Sequence, residues 1–282
     1  MCVFLCNLPN CCSFQPKFMT ALASNDLLVY IDKHPDLVFV LHERTERRFP
    51  IHQHVKGQMT YVQGGVAYVH VEGKIYVIPA RHYIWIPAEL PHFLQVKSAS
   101  STIRTIYFPV QEQDSGFYRK MGIYPVNPLL HEMLLYTERF EGYIERDDLH
   151  ACFFTAIQSV LPELGVTHLQ TALPTSPNER LKPLLVYLES HVSDQITLHD
   201  IARKYGISER TLSRMFQSEL SMSFLQYVKQ LRMVKAVEFM LQSDLNLTEI
   251  AYATGYLSVS AFSNTFFQFT NMRPSQFIQT VR

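Results

Sequence analysis

The sequence predicts an α+β chain: a β-rich barrel or sandwich in the first half, and an all-α second half with two helix-turn-helix units. Three observations carry that prediction. Two stretches repeat one pattern: Ile201-Ala202, Gly206, Ser208, Leu212-Ser213 and Phe216 recur as Ile250-Ala251, Gly255, Ser258, Phe262-Ser263 and Phe266. Residues 27 to 110 alternate short Val, Ile, Tyr and Phe runs with Pro50, Gly64-Gly65, Gly73, Pro79, Pro87 and Pro91, the punctuation of many short strands. At 282 residues the chain is long enough for two domains, each with a core.

The first three matches of the repeat lie 49 positions apart and the last four lie 50 apart, so one residue is inserted at the turn, where Tyr256-Leu257 answers Ile207. Each copy reads as helix, Gly-containing turn, helix. Thr197 with Asp200, and Asn246 with Glu249, fit capping boxes, the first with Asp in the usual Glu or Gln place. Gly206 and Gly255 stand where a left-handed helix end needs no Cβ. Ser208 and Ser258 cap the following helices. Leu212, Met215 and Phe216, then Phe262 and Phe266, form inward stripes. The outward faces carry Glu209, Arg210, Ser213, Arg214 and Gln217 in the first copy, and Val259, Ser260, Ser263 and Asn264 in the second. A helical repeat array is the alternative, but an array needs about three copies to bury a continuous core. Two rigidly held units can instead set two recognition helices about one duplex turn, ~34 Å, apart on DNA. Arg210 and Arg214 lie one turn apart and can each grip a guanine edge or a phosphate.

Between the copies, Leu225, Val228, Leu231, Val234 and Phe239 mark one bridging helix over residues 224–241. From about Ile196 to the end the chain resembles the DNA-binding domain of the AraC/XylS family of bacterial transcription regulators. The matching residues are Leu198-x-x-Ile201-Ala202, Ser208-x-x-x-Leu212-x-x-x-Phe216, Arg232-x-x-x-Ala236, Ile250-Ala251-x-x-x-Gly255, Phe262-Ser263-x-x-Phe266 and Arg273-Pro274-Ser275. The resemblance implies base reading by Arg210, Ser213 and Arg214, with Ser260, Ser263 and Asn264 as the matching face of the second copy. Ser208, Gln217 and Ser258 border those faces, and Arg273 is a phosphate candidate. Basic residues are frequent in the family where Asn264 and Phe267 stand here, so the second copy is expected to contribute less, through phosphate and shape.

The charge balance is even, 25 basic against 25 acidic residues, and residues 175–282 hold 11 Lys and Arg against 9 Asp and Glu. A reader so weakly basic predicts weak non-specific DNA affinity. No apolar run of membrane-spanning length exists, so no membrane role is expected. Cys2, Cys6, Cys11 and Cys12 crowd a stretch that makes a poor signal peptide. Residues 1–18 read as a disordered tail or an early start before Met19, with a redox or metal tail as the alternative. Cys152 reads as a core residue. Few cysteines elsewhere fit a reducing bacterial cytoplasm.

In the β-rich half, Glu72-Gly73 reads as a hairpin turn, and His52-x-His54 places both imidazoles on one strand face. Gln58 follows, and His92 closes Ile86-Pro87-x-x-x-Pro91-His92. This resembles the cupin fold, the sensor barrel attached to many AraC-type regulators. Cupin motifs usually supply His, His, Glu and His to a metal, and here Gln58 stands in the Glu place. A neutral amide is a weak ligand, which favours a polar effector site of His52, His54, Gln58 and His92 walled by Tyr61 and Trp85. The effector is expected to be a small carboxylate, sugar or other metabolite. A divalent metal on His52, His54 and His92 stays open. His42, His70 and His82 read as surface or packing residues.

Helical patterns run from Pro128 to about Tyr143 and from Asp148 to about Leu164, and the family resemblance implies dimerisation through them. Ala172 to Asn178, broken twice by proline, reads as a linker, and a helix from Glu179 to about His191 opens the second domain. The predicted division is 1–18 tail, 19–125 cupin-like sensor barrel, 126–171 helical packing or dimerisation segment, 172–178 linker, and 179–282 double helix-turn-helix domain. Two functions compete. One is an effector-responsive, homodimeric transcription regulator that binds promoter DNA, with RNA polymerase as a partner if it activates. The other is a metal-dependent cupin enzyme with a DNA-binding tail. The duplicated motif favours the regulator, which is not an enzyme.

Overall fold

The computed structural model describes residues 29–43, 50–96, 102–111, 114, 116–165, 172–176, 178–270 and 272–281. The N-terminal tail, Met19 and the four early cysteines lie outside them. Among the described residues the β-half holds ten strands: β1 Val38–Glu43, β2 Gly57–Val62, β3 Val66–Val71, β4 Lys74–Pro79, β5 His82–Ile86, β6 His92–Val96, β7 Ile103–Phe108, β8 Gly122–Pro125, β9 Gly142–Ile144 and β10 Ala172–Pro174. They form a six-stranded sheet in the order β8-β5-β2-β7-β1-β9 and a four-stranded sheet in the order β10-β4-β3-β6. The expected barrel is therefore two facing sheets and not a closed cylinder. The β3–β4 hairpin turns on Glu72 and Gly73, with φ of 47° and 71°, the double positive φ of the tight turns that match strand twist.

Strand parity sorts the side chains into three layers. Val62, Ile84, Ile86 and Ile103 from the large sheet meet Ala67, Val69, Ile78, Leu94 and Val96 from the small one between the sheets. The opposite face of the large sheet, with Met59, Tyr61, Trp85, Ile106 and Phe108, packs on two helices, α1 Pro128–Tyr136 and α2 Ala151–Leu164. Helix α1 stops seven residues before the predicted end at Tyr143, because Gly142 and Ile144 are drawn into β9 beside β1. Helix α2 begins at Ala151 and not Asp148, and Cys152 is exposed on it, so its core reading is corrected.

The second half is helical: α3 Lys182–Ser190, α4 Leu198–Lys204, α5 Glu209–Leu220, α6 Phe224–Gln242, α7 Leu247–Ala253, α8 Val259–Thr270 and α9 Pro274–Val281. Both capping boxes form, at Thr197/Asp200 and Asn246/Glu249. Two cores flank α6. Leu184, Ile201, Leu212, Phe216 and Leu231 build the first, and Met233, Val237, Ile250, Phe262 and Phe266 the second.

Helix α6 also packs on the sensor. Val234 joins Val66, Tyr68 and Val77 from the outer face of the small sheet, with Leu241 and Phe269 against them. The Tyr68 hydroxyl donates to Glu238 at 2.8 Å. The 172–178 stretch is no free linker. Its first three residues are β10, an edge strand whose Pro174 sits where no ladder donor is needed. Thr175 N–H donates to Gly73 O at 2.7 Å, while Ser176 and Asn178 donate to Glu219 of α5 at 2.8 and 3.0 Å.

His82 is 1% exposed and meets the Phe277 ring of α9 at 5.9 Å. Burial holds its pKa down at about 4 from 6.5, with the Ala80 carbonyl pulling the other way. The fold thus favours neutral imidazole, so this contribution is complete above pH 6.5 and is lost as pH falls toward 4. At ~1.4 kcal/mol per unit, His82 alone should cost the protein about 2 kcal/mol between pH 6.5 and 5. Denaturant midpoints of wild type and His82→Leu across that range measure it, and parallel pH profiles would refute it.

Candidate functional site

The polar end of the sandwich interior holds the histidine cluster. His52 and His54 do not share a regular strand; they precede β2. An isolated bridge ties His52 to His92, with backbone N–H to O distances of 2.9 and 2.8 Å in the two directions. His54 and His92 are 2% and 1% exposed, and His52 is the partly exposed member. One donor atom from each ring lies within 4.8 Å of the others.

Each ring is oriented by its own backbone. Nδ1–H of His52, His54 and His92 donates to the carbonyls of Pro50, Lys56 and Leu90 at 2.9, 2.7 and 2.8 Å. Neutral rings so anchored carry their lone pairs on Nε2. The Nε2 atoms of His54 and His92 stand 2.8 and 2.9 Å from the Gln58 side-chain oxygen. Two lone pairs cannot both face an acceptor. Either the Gln58 amide presents its NH2 to both rings and its oxygen to the Thr60 hydroxyl, or a cation sits among the three lone pairs. Thr60 continues the chain to Thr105 at 3.1 Å. Burial, then the neighbouring His52 and His54, push the His92 pKa down to about 3. His52 is lowered too, chiefly by burial. Neutral imidazoles of this kind are what a metal or a hydrogen-bonding ligand requires.

Tyr61 and Trp85 do not wall this site. Tyr61 is three residues from Gln58, an odd step that turns it to the opposite face of β2. There its hydroxyl shares a hydrogen bond with His131 of α1 at 3.0 Å. Trp85 pairs with Met59 on that same outer face and donates to Tyr118 O at 3.0 Å. On the large sheet the inward aromatic rings are Phe39, Tyr107 and Tyr143, placed by the pairings Gln58↔Tyr107, Phe39↔Tyr107 and Phe39↔Tyr143. Thr60 was findable, since it lies two residues past Gln58 on the same strand face. Tyr107 and Tyr143 arrive by long-range register, which has no local signal.

Lys56, which the sequence reading passed over, is fully buried. Burial lowers its pKa to about 8, against the pull of Asp32 and Asp36.

The reading faces lie on the helical half, on α5 and α8. Arg210, Ser213, Arg214 and Gln217 are all exposed on α5, above the buried Leu212 and Phe216. The Ser208 hydroxyl caps α5 through Thr211 N–H, and Ser258 caps α8 through Ala261 N–H, both at 3.2 Å. Ser260 and Asn264 are exposed on α8 and Ser263 is half-buried. Arg273 reaches back to α8, donating to Asn264 at 3.1 Å with its guanidinium 4.9 Å from the Phe267 ring. It thereby puts a positive charge where the two basic side chains common in the family are missing. Arg232 of α6 locks the second turn, donating to Asp194 O at 2.8 Å beside Gly255.

A sensor-like sandwich carrying a paired helix-turn-helix reader defines a one-component DNA-binding regulator. The family model described as an AraC-like ligand binding domain matches residues 34–135, and one described as a helix-turn-helix domain matches residues 201–280. The chain is 24% identical over 257 residues to the HTH-type transcriptional regulator NimR of Escherichia coli K12, covering 88% of this chain and 89% of that protein. It is 29% identical over 167 residues to the HTH-type transcriptional activator RhaS of Escherichia coli O6:H1, covering 58% and 59%. Among solved structures, ToxT from Vibrio cholerae aligns at 15% identity and a TM-score of 0.37, over 86% of this chain and 98% of that one. The chain belongs to the AraC family of transcription regulators.

Proposed function

We propose that a small effector enters the sandwich at the His52–His54–Gln58–His92 cluster and changes how the two recognition helices engage promoter DNA. The observation that carries this is the layering. The small sheet turns His92 and Val71 toward the cluster, while its other face, through Tyr68 and Val66, seats on α6 between the two reading units. An effector that binds one arrangement of that sheet better than another shifts the population of reader geometries. Base contacts fall to Arg210, Ser213 and Arg214, bordered by Ser208 and Gln217. Ser258, Ser260, Ser263, Asn264 and Arg273 supply the second, weaker contact.

The chain acts as a homodimer in the bacterial cytoplasm. Leu129 of α1 and Leu149 just before α2, 59% and 90% exposed, support the 126–171 segment as the dimer face. No described helix is long and apolar enough to cross a membrane. The activator name of the RhaS relatives supports activation through RNA polymerase, and the relatives' regulator names support a chain that is not an enzyme. Selection of bound DNA from a random pool, mapped to the genome, tests the reading: one enriched bipartite motif is expected, and no enrichment overturns it. Within that motif Arg214→Ala should cost about 1–3 kcal/mol at a single guanine position. An equal loss on every sequence would assign Arg214 to phosphate instead.

A divalent metal is the second reading of the cluster. It is favoured by the three anchored rings, whose Nδ1–H bonds leave Nε2 as the ligand atom. His52, His54 and His92 would hold the ion, with the Gln58 oxygen as a weak fourth donor. Elemental analysis of wild type and His92→Ala decides it: one bound ion lost in the variant supports a metal, and metal-free wild type with full effector response rejects it.

A further inference from the structure

We propose that Lys56 is the anion-recognising group of the effector pocket, and that the effector carries one carboxylate on an apolar body. This rests on the reading that the β-half binds a small molecule. Lys56 is 0% exposed, and its Nζ has no hydrogen-bond partner among the described residues. The nearby carboxylates are engaged elsewhere: both oxygens of Asp32 accept the Val55 N–H at 3.2 Å, and Asp36 pairs with Arg146 at 3.5 Å. The ammonium stands instead 4.9 Å from the Tyr143 ring centroid and 6.0 Å from that of Phe39. Aromatic faces offset only part of the cost of a buried charge, which asks for an anion and hydrogen bonds to complete it.

Position tells where that anion comes from. Phe39, Tyr107 and Tyr143 lie on the inward face shared with Gln58. The Tyr107 ring is 5.9 Å from Phe39 on one side and 5.0 Å from His54 on the other. The Lys56 carbonyl itself accepts the His54 Nδ1–H at 2.7 Å. The aromatic box and the histidine cluster are thus joined by direct contacts through Tyr107 and the Lys56 backbone. A carboxylate at Nζ directs an apolar body along Tyr107 toward Gln58. Asp32 and Asp36 act on Lys56 through space, and their negative field disfavours a dianion such as phosphate against a monoanion.

The test uses the full chain with phenylacetate, hexanoate and octanoate, each beside its primary amide, and inorganic phosphate as control. Calorimetry and thermal shift should find at least one acid bound at least tenfold more tightly than its amide, with phosphate inactive. Lys56→Met should weaken that acid at least tenfold while operator binding persists. The acid–amide comparison needs no variant, so it stands even if Lys56→Met fails to fold. Equal binding of acid and amide, no binding by any of the acids, or undiminished binding by Lys56→Met overturns the assignment. Should neutral metabolites from a cell extract alter operator affinity while the acids do not, the sensor reading survives and Lys56 alone is rejected. If no charged or neutral small molecule changes thermal stability or operator affinity, both fall.

Discussion

Truncating Phe216 to alanine is expected to destabilise the reader by about 3–5 kcal/mol, the range for a buried phenylalanine whose site cannot collapse. Phe216 is fully buried and meets the rings of Phe224 and Tyr227 edge-to-face, at 5.3 and 5.5 Å. Those partners belong to the first turn of α6, so this one ring fixes the recognition helix to the splint that carries both units. Loss of the ring leaves Leu212 and Leu220 as the buried anchors of α5. Operator affinity should fall with stability, whereas the sandwich core between the sheets shares no residue with this cluster. Phe216→Leu, which conserves most of the volume, should cost less than about 1.5 kcal/mol. Urea melts read through the reader and through Trp85 of the sensor separate the effects. A Phe216→Ala protein as stable as wild type would show that α5 is held by something else.

What the sequence revealed divides by range. The duplicated turn, its caps and the inward stripes are local, so Thr197, Ser208, Asn246 and Ser258 could be assigned as caps from spacing alone. Parity within one strand is local as well: the three-residue step from Gln58 to Tyr61 places Tyr61 on the far face. The same rule finds Thr60. Register between distant strands is different, because nothing near Tyr107 or Tyr143 announces that they share a face with Gln58. The pairing of residues 172–174 with β4 is hidden in the sequence for a related reason. Pro174 marks a break in a helix or a central strand, yet an edge strand tolerates it, and only the partner β4 shows that an edge was there.

Docking of α6 on the sensor was partly legible. A bridging helix with one apolar stripe would show spaced hydrophobic residues, whereas Met233-Val234 and Ala236-Val237 are adjacent pairs, all four buried. Adjacent apolar residues point about 100° apart around a helix, so this splint is covered on several sides. Two of those sides are its own reading units, and the third is the outer face of the small sheet. The consequence is that no movement of β3 or β4 can leave α6 indifferent, with Tyr68 bonded to Glu238 and Glu238 held by Lys235 at 2.9 Å.

The two motif glycines should respond very differently to the same substitution. Both take the left-handed conformation, with φ of 65° at Gly206 and 79° at Gly255. That conformation costs an ordinary L-residue about 1–2 kcal/mol. At Gly206 an added Cβ meets nothing within 4 Å, so Gly206→Ala should cost the strain alone. At Gly255 it would lie 2.6 Å from the Arg232 guanidinium and 2.7 Å from the Val192 carbonyl oxygen. The carbonyl is backbone and cannot step aside, and Arg232 is held on Asp194 O. Overpacking adds about 1–3 kcal/mol, bringing Gly255→Ala to roughly 2–5 kcal/mol. Arg232 also links α6 to the loop before α4, so its displacement should disturb the relative setting of the two reading units. Gly255→Ala is therefore expected to lose operator affinity beyond its loss of stability, and Gly206→Ala is not. Paired denaturant melts and binding curves of the two variants measure the contrast. Equal costs at both positions would mean that the two turns, alike in backbone, are alike in their surroundings as well.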